Sequence, residues 1–209
     1  MRVAPERVAE AIKRYALTGT PTGEVVVRPN GELRIMTAGD VFHVCPAGWR
    51  IADSPGVDEA LLIRRDTFTY NANPVHGLLF ETDGTTRLLN ERAAMTDLGR
   101  RLGAGLDPIA YAEVVAALYS GGDLDAPVVT AHAADFSWPA GELFTGSKVY
   151  PDPLVQRSGD LLRIHFFSGQ GFIDHGGGGN GNHIYRWRIT GGPGRDPEWE
   201  REYVGFDGR

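Results

Sequence analysis

The chain has 209 residues, of which 42% are hydrophobic and 23% charged, and it carries a formal net charge of −6 at pH 7. That length can bury a proper core in one domain, or in two packed subdomains covering 1–90 and 91–209, and the composition is that of an ordinary soluble globular protein. The acidic balance excludes a general nucleic-acid binder, because neutralising phosphates takes clustered Lys and Arg, and here lysine occurs only at Lys13 and Lys148.

Cys45 is the only cysteine, so the chain is not a disulfide scaffold. The N-terminal stretch is charged throughout, and no apolar run reaches the roughly 18 residues of a membrane span. The expectation is a soluble cytoplasmic protein without a membrane partner. The abundance of Arg, Ala, Gly and Asp suggests a high-GC bacterial source.

In chain order, residues 5–17 read as an amphipathic helix with Pro5 in its first turn and a stripe of Val8, Ala11, Ile12 and Tyr15. Glu24 to Arg28 and Glu32 to Met36 flank Pro29-Asn30-Gly31, a strong hairpin signal. Val41 to Cys45 follows as a third strand. It places His43 and Cys45 on one side, although same-strand neighbours seldom make a nucleophile–base pair and buried cysteine is usually core. Ala60 to Tyr70 reads as a long strand, and His76 to Glu81 with Thr86 to Leu89 as a hairpin around Asp83-Gly84. Tyr70, Asn71, Asn73 and His76 are compatible with a pocket rim, but turn chemistry accounts for the asparagines more simply. The first ninety residues thus suggest a helix on a meander of about six strands.

The pattern then turns helical. Asn90 is placed to cap Glu91 to Leu102, which stops at Gly103, and Asp107-Pro108 opens a second helix through Tyr119. Val128 to Ala131 reads as a short strand. His132, Asp135 and Trp138 lie in an irregular run, and 140–159 is extended or edge structure. Gly191-Gly192-Pro193-Gly194 is a sharp break before a final strand from Trp199 to Phe206. The fold class expected is α+β: an antiparallel sheet, open or half-closed as a barrel, with an N-terminal helix and a central helical pair.

The stretch from Asp160 to Thr190 carries the candidate chemistry. Leu161 to Phe167 and His183 to Ile189 alternate in period two around a loop holding Asp174, His175, four successive glycines, Asn180 and Asn182. Gly176, Gly178 and Gly181 fit a dinucleotide pattern, but a strand follows where the phosphate-binding helix is required. The His-Gly-Gly-Gly run at 175–178 fits an oxyanion loop, yet no G-x-S-x-G supplies a nucleophile. In a long-looped hairpin, His165 would share one surface with His183, Tyr185 and Trp187.

Three functions follow. The first is a small-molecule enzyme of lyase, cyclase or isomerase type without a cofactor. In it His165, His175 or His183 moves a proton while Arg163 or Tyr185 steadies negative charge. Trp187, Phe167 and Asn180 would contact substrate, and Gly169 to Gly181 would form a lid. The second is an acidic protein that binds, neutralises or scaffolds a protein partner, marked by an exposed aromatic or acidic patch instead of an enclosed pocket. The third is a metal-dependent enzyme using Asp174, His175 and His183.

Overall fold

The computed structural model describes residues 2–15, 17, 24–27, 33–37, 40–44, 47–64, 75–119, 128–129, 150–174 and 179–208. The chain is α+β, with antiparallel strand pairing throughout its sheets, and it divides into two compact units, Met1–Met95 and Thr96–Arg209.

In the first unit, α1 (Pro5–Arg14) starts on Pro5, carries Glu6 in its first turn and Lys13 and Arg14 in its last, and so complements the helix dipole at both ends. It ends before the expected residue 17, with the Tyr15 N–H still bonded to the Ala11 carbonyl. Leu17 lies beyond the helix yet stays in the same core, because the chain turns back through a Leu17 N–H bond to the Ile12 carbonyl. Val8, Ala11 and Ile12 pack there with Leu61, Ile63, Leu78 and Phe80.

The single meander expected from turn signals is instead two sheets. One is β1 (Glu24–Val27), β2 (Leu33–Thr37) and β3 (Asp40–Val44), and the other is β4 (Ala47–Gly48), β5 (Val57–Arg64), β6 (Val75–Glu81) and β7 (Thr86–Leu88). Turn residues mark where strands end but not which edges pair: β4 pairs with β5 across the 3-10 turn Arg50–Asp53 rather than with β3. Neither sheet closes into a barrel. The Asp83-Gly84 hairpin is present, its turn held by a Thr85 N–H bond to the Asp83 carboxylate. The Asn90 side-chain oxygen accepts the Gly77 N–H and so ties the segment after β7 back to β6. The buried acids of this unit are answered locally, Glu59 by the Arg2 backbone N–H and Glu81 by Arg87 at 2.8 Å.

Two helices follow, α2 (Arg92–Gly99) and α3 (Pro108–Tyr119). The Asp107 carboxylate accepts the Ile109 N–H at 2.8 Å, the N-cap that its position before Pro108 implies. Among the described residues no helix is long and apolar enough to cross a membrane, which says nothing of spanning by strands.

The second unit is built on β10 (Leu161–Asp174), β11 (Gly179–Gly192) and β12 (Arg195–Gly208), with β8 (Val128–Val129) and β9 (Leu154–Ser158) both on the far edge of β10. The sharp break expected after β11 is a two-residue hairpin turn. Gly192 opposes Arg195, Pro193 presets its first corner, and Gly194 at φ 69° takes the left-handed second corner. Leu162, Ile164 and Phe166 of β10 and Trp187 and Ile189 of β11 form the buried face of this sheet.

Candidate functional site

Cross-strand partners share a face of a sheet, so the register of β10 and β11 decides which candidate residues can meet. Phe166 opposes Trp187, Ser168 opposes Tyr185 and Gln170 opposes His183, while His165 opposes Arg188 and Phe167 opposes Arg186. One face therefore carries Ser168, Trp187, Tyr185 and His183, and the other carries Arg163, His165, Phe167, Arg186 and Arg188. The surface that His165 was expected to share with His183, Tyr185 and Trp187 does not exist, because the thickness of the sheet separates them.

Gly169 to Asp174 and Gly179 to Gly181 belong to the paired strands, with Asp174 opposite Gly179, so the expected lid is ladder over these residues. His175 lies outside the described residues, and Asp174 and Asn180 are placed by backbone alone. Among the described residues no three His, Cys, Asp or Glu side chains are grouped to hold a metal ion. Cys45, Tyr70, Asn71, Asn73, His132, Asp135 and Trp138 also lie outside the described residues, and His43 is placed by backbone alone. His76 is half-buried on β6, and that burial holds its imidazole below the usual range.

Trp187 is a core residue. It is 1% exposed, stacks on Phe166 at 5.7 Å with nearly parallel rings, and donates its indole N–H to the Ser168 hydroxyl at 2.8 Å. The same face is covered near its middle by α3, where Tyr119 meets Trp199 edge-on at 5.2 Å. On the opposite face Arg186 pairs with Glu202 at 2.5 Å and Arg188 with Glu200 at 3.4 Å, all of them exposed. Arg163 is exposed there and His165 half-buried, while Phe167 packs on Tyr150 at 5.4 Å.

Two groupings arise at the end of the sheet where β11 and β12 run past α3, and a bulge makes both. Ile184 opposes Gly205 but Tyr185 opposes Tyr203, which leaves Val204 as an extra residue in β12. Side chains alternate, so Tyr203 and Phe206 would fall on opposite faces of a regular strand; the extra residue brings them to the same one. His183 then sits between them, 5.8 Å from Tyr203 and 5.6 Å from Phe206, with its Nδ1 3.4 Å from the Tyr203 hydroxyl. Tyr185 and Tyr203 lie 5.6 Å apart, and the Arg201 guanidinium rests 4.7 Å above the Tyr185 ring. This aromatic strip faces solvent: Tyr203 is 53% exposed and Phe206 43%.

The same parity change turns Asp207 to the other face, where its buried carboxylate accepts a hydrogen bond from the Tyr150 hydroxyl at 3.3 Å. Burial, and then the neighbouring Asp207 charge, push the Tyr150 phenol up to about 12.

Sequence reasoning found His183 and Tyr185 but missed Arg201, Tyr203, Phe206, Tyr150 and Asp207. The available signal was Gly205 inside a strand pattern, a mark of a bulge. Gly205 has φ +151°, a conformation that residues with a Cβ rarely adopt. Gly205→Ala is therefore expected to cost about 1 kcal/mol or more in urea unfolding and to shift the Phe206 ring resonances, while Gly→Ala at an unstrained site would be neutral or stabilising.

No protein-family model, curated protein or solved structure matches this chain.

Proposed function

We propose that this chain is a recognition protein that engages a protein partner through the aromatic strip of β11 and β12. The observation that carries this reading is the contiguous set of half-buried His183 and Tyr185 with exposed Tyr203, Phe206 and Arg201. Tyr and Arg are the residues most enriched where protein interfaces concentrate their binding energy, and a rimmed apolar patch on a strand surface marks such interfaces. A bacterial cytoplasmic setting is part of this reading, in keeping with the single cysteine.

The test compares capture of cellular proteins by the intact chain, by Tyr203→Ser/Phe206→Ser and by His165→Ala/His175→Ala. A stoichiometric partner kept by the histidine variant and lost at least ten-fold by the aromatic variant is the expected result. A partner held equally by the aromatic variant would overturn the assignment.

One observation favours a second reading: His183 and Tyr203 bring an imidazole to a phenol at 3.4 Å, so acid/base chemistry on a small molecule would centre on that pair. It requires that His183→Gln abolish turnover of an identified substrate while His165→Ala leaves it intact.

A further inference from the structure

We propose that the outer edge of β12, from Glu198 to Tyr203, receives an extended segment of the partner protein in which every second residue is basic. This rests on the partner-recognition reading above and names what the partner presents. β12 ends the strand order of its sheet, and among the described residues no strand pairs with its outer side. Such an edge offers backbone donors and acceptors to an incoming strand, which gains affinity from the main chain and specificity from its alternate side chains. The stretch from Glu198 to Tyr203 pairs regularly with β11, between the irregularity near Gly192 and the Val204 bulge, so its register is well defined.

The side chains on this edge sort by face. Glu198, Glu200 and Glu202 lie on one side, and Trp199, Arg201 and Tyr203 on the other. Glu200 and Glu202 have arginine partners on β11 but keep 77% and 64% of their side chains exposed, and Glu198 opposes the uncharged Thr190. The outermost strand thus presents an acidic row at strand spacing on one face and aromatic rings on the other. A segment with Lys or Arg at alternate positions would set each cation beside a glutamate and its intervening residues beside Trp199 and Tyr203.

A second copy of this chain is disfavoured by the same pattern. Antiparallel pairing keeps faces matched. The two face-matched registers nearest full overlap set Glu198 against Glu202 with Glu200 against itself, or Glu200 against Glu202 with Arg201 against itself. Like charges directly opposite are destabilising in a sheet. A parallel copy offering the same edge must turn its faces over, which sets the glutamates beside Trp199, Arg201 and Tyr203 and leaves the acidic row without a matching basic row.

The probe is a pair of labelled synthetic peptides of identical composition, Thr-Lys-Val-Lys-Val-Lys-Thr and a block-ordered version with its lysines adjacent. Binding to the full chain is measured by anisotropy at physiological salt, with hydrogen exchange read along β12. The alternating peptide is expected to bind at least ten-fold more tightly than the block-ordered one and to slow exchange of amides between Glu198 and Tyr203. Glu198→Gln/Glu200→Gln/Glu202→Gln should lose at least ten-fold, and the single Glu200→Gln a smaller part, which covers the case that the triple variant folds poorly. Equal binding of the two peptides, binding without protection of β12, or a dimer of the free chain with β12 already protected would each overturn this proposal. A partner lost on Tyr203→Ser/Phe206→Ser despite any of these results would leave the recognition reading standing and sink only the strand-pairing one.

Discussion

Trp187→Ala is expected to destabilise the second unit by about 3–5 kcal/mol, the range for truncating a fully buried large aromatic. The loss has two sources. The indole fills space against Phe166 in the centre of the buried face, and its N–H is a donor to the fully buried Ser168 hydroxyl, which would lose that partner. Trp187→Phe keeps most of the stacked ring and forfeits the hydrogen bond, so it should cost only about 1–2 kcal/mol. Chemical denaturation followed by circular dichroism distinguishes the two. A cost below about 1 kcal/mol for Trp187→Ala would mean that the ring lines an accessible surface, as a ligand contact would.

The second large effect is alkaline. Tyr150 has its folded value raised from 10.0 to about 12, by burial and then by the Asp207 charge. A raised folded value means that the native state holds the proton after the unfolded chain has released it. The stabilisation is therefore complete below pH 10 and is lost as pH climbs from 10 through 12. With allowance for solvent screening the fall is about 1–2 kcal/mol. Tyr150→Phe should flatten this part of the stability–pH curve. At pH 7 it should also cost about 1–2 kcal/mol, because the buried Asp207 carboxylate loses a donor. An unchanged alkaline slope in the variant would show that Tyr150 ionises freely in the native state.

Much of the fold was legible because local chemistry agreed with tertiary packing. Pro5 and the Val8, Ala11, Ile12 stripe place α1, Asp107-Pro108 caps α3, and Asp83-Gly84 and Pro193-Gly194 turn the hairpins that their residue types imply. Pairing was less legible. The glycines of 169–181 read as breakers, yet Gly169, Gly171, Gly179 and Gly181 all sit in the β10–β11 ladder, because a missing Cβ weakens a strand without removing its backbone hydrogen bonds.

The candidate site was legible only in part for the same reason. Alternation separates an apolar face of Leu162, Ile164 and Phe166 from one with Arg163 and His165, but it does not say which face of β11 continues which, so Trp187 was joined to the face of His165 instead of that of Phe166. A one-residue error in register moves every side chain to the opposite face. The Val204 bulge then inverts parity once more, and that inversion assembles Tyr203, Phe206 and His183 on one side and Tyr150 with Asp207 on the other.

The recognition strip depends on the register between β11 and β12, and paired cysteines test it directly in a Cys45→Ser background. Arg186→Cys with Glu202→Cys places two thiols on directly opposed residues of one face, whereas Arg186→Cys with Tyr203→Cys points them to opposite sides of the sheet. Mild oxidation is expected to close the first pair into a disulfide and leave the second reduced. Ready closure of the 186–203 pair, with none at 186–202, would mean that the two strands pair one residue out of step. Tyr203 would then leave the face of His183 and Tyr185, and the aromatic strip that carries the recognition reading would be gone.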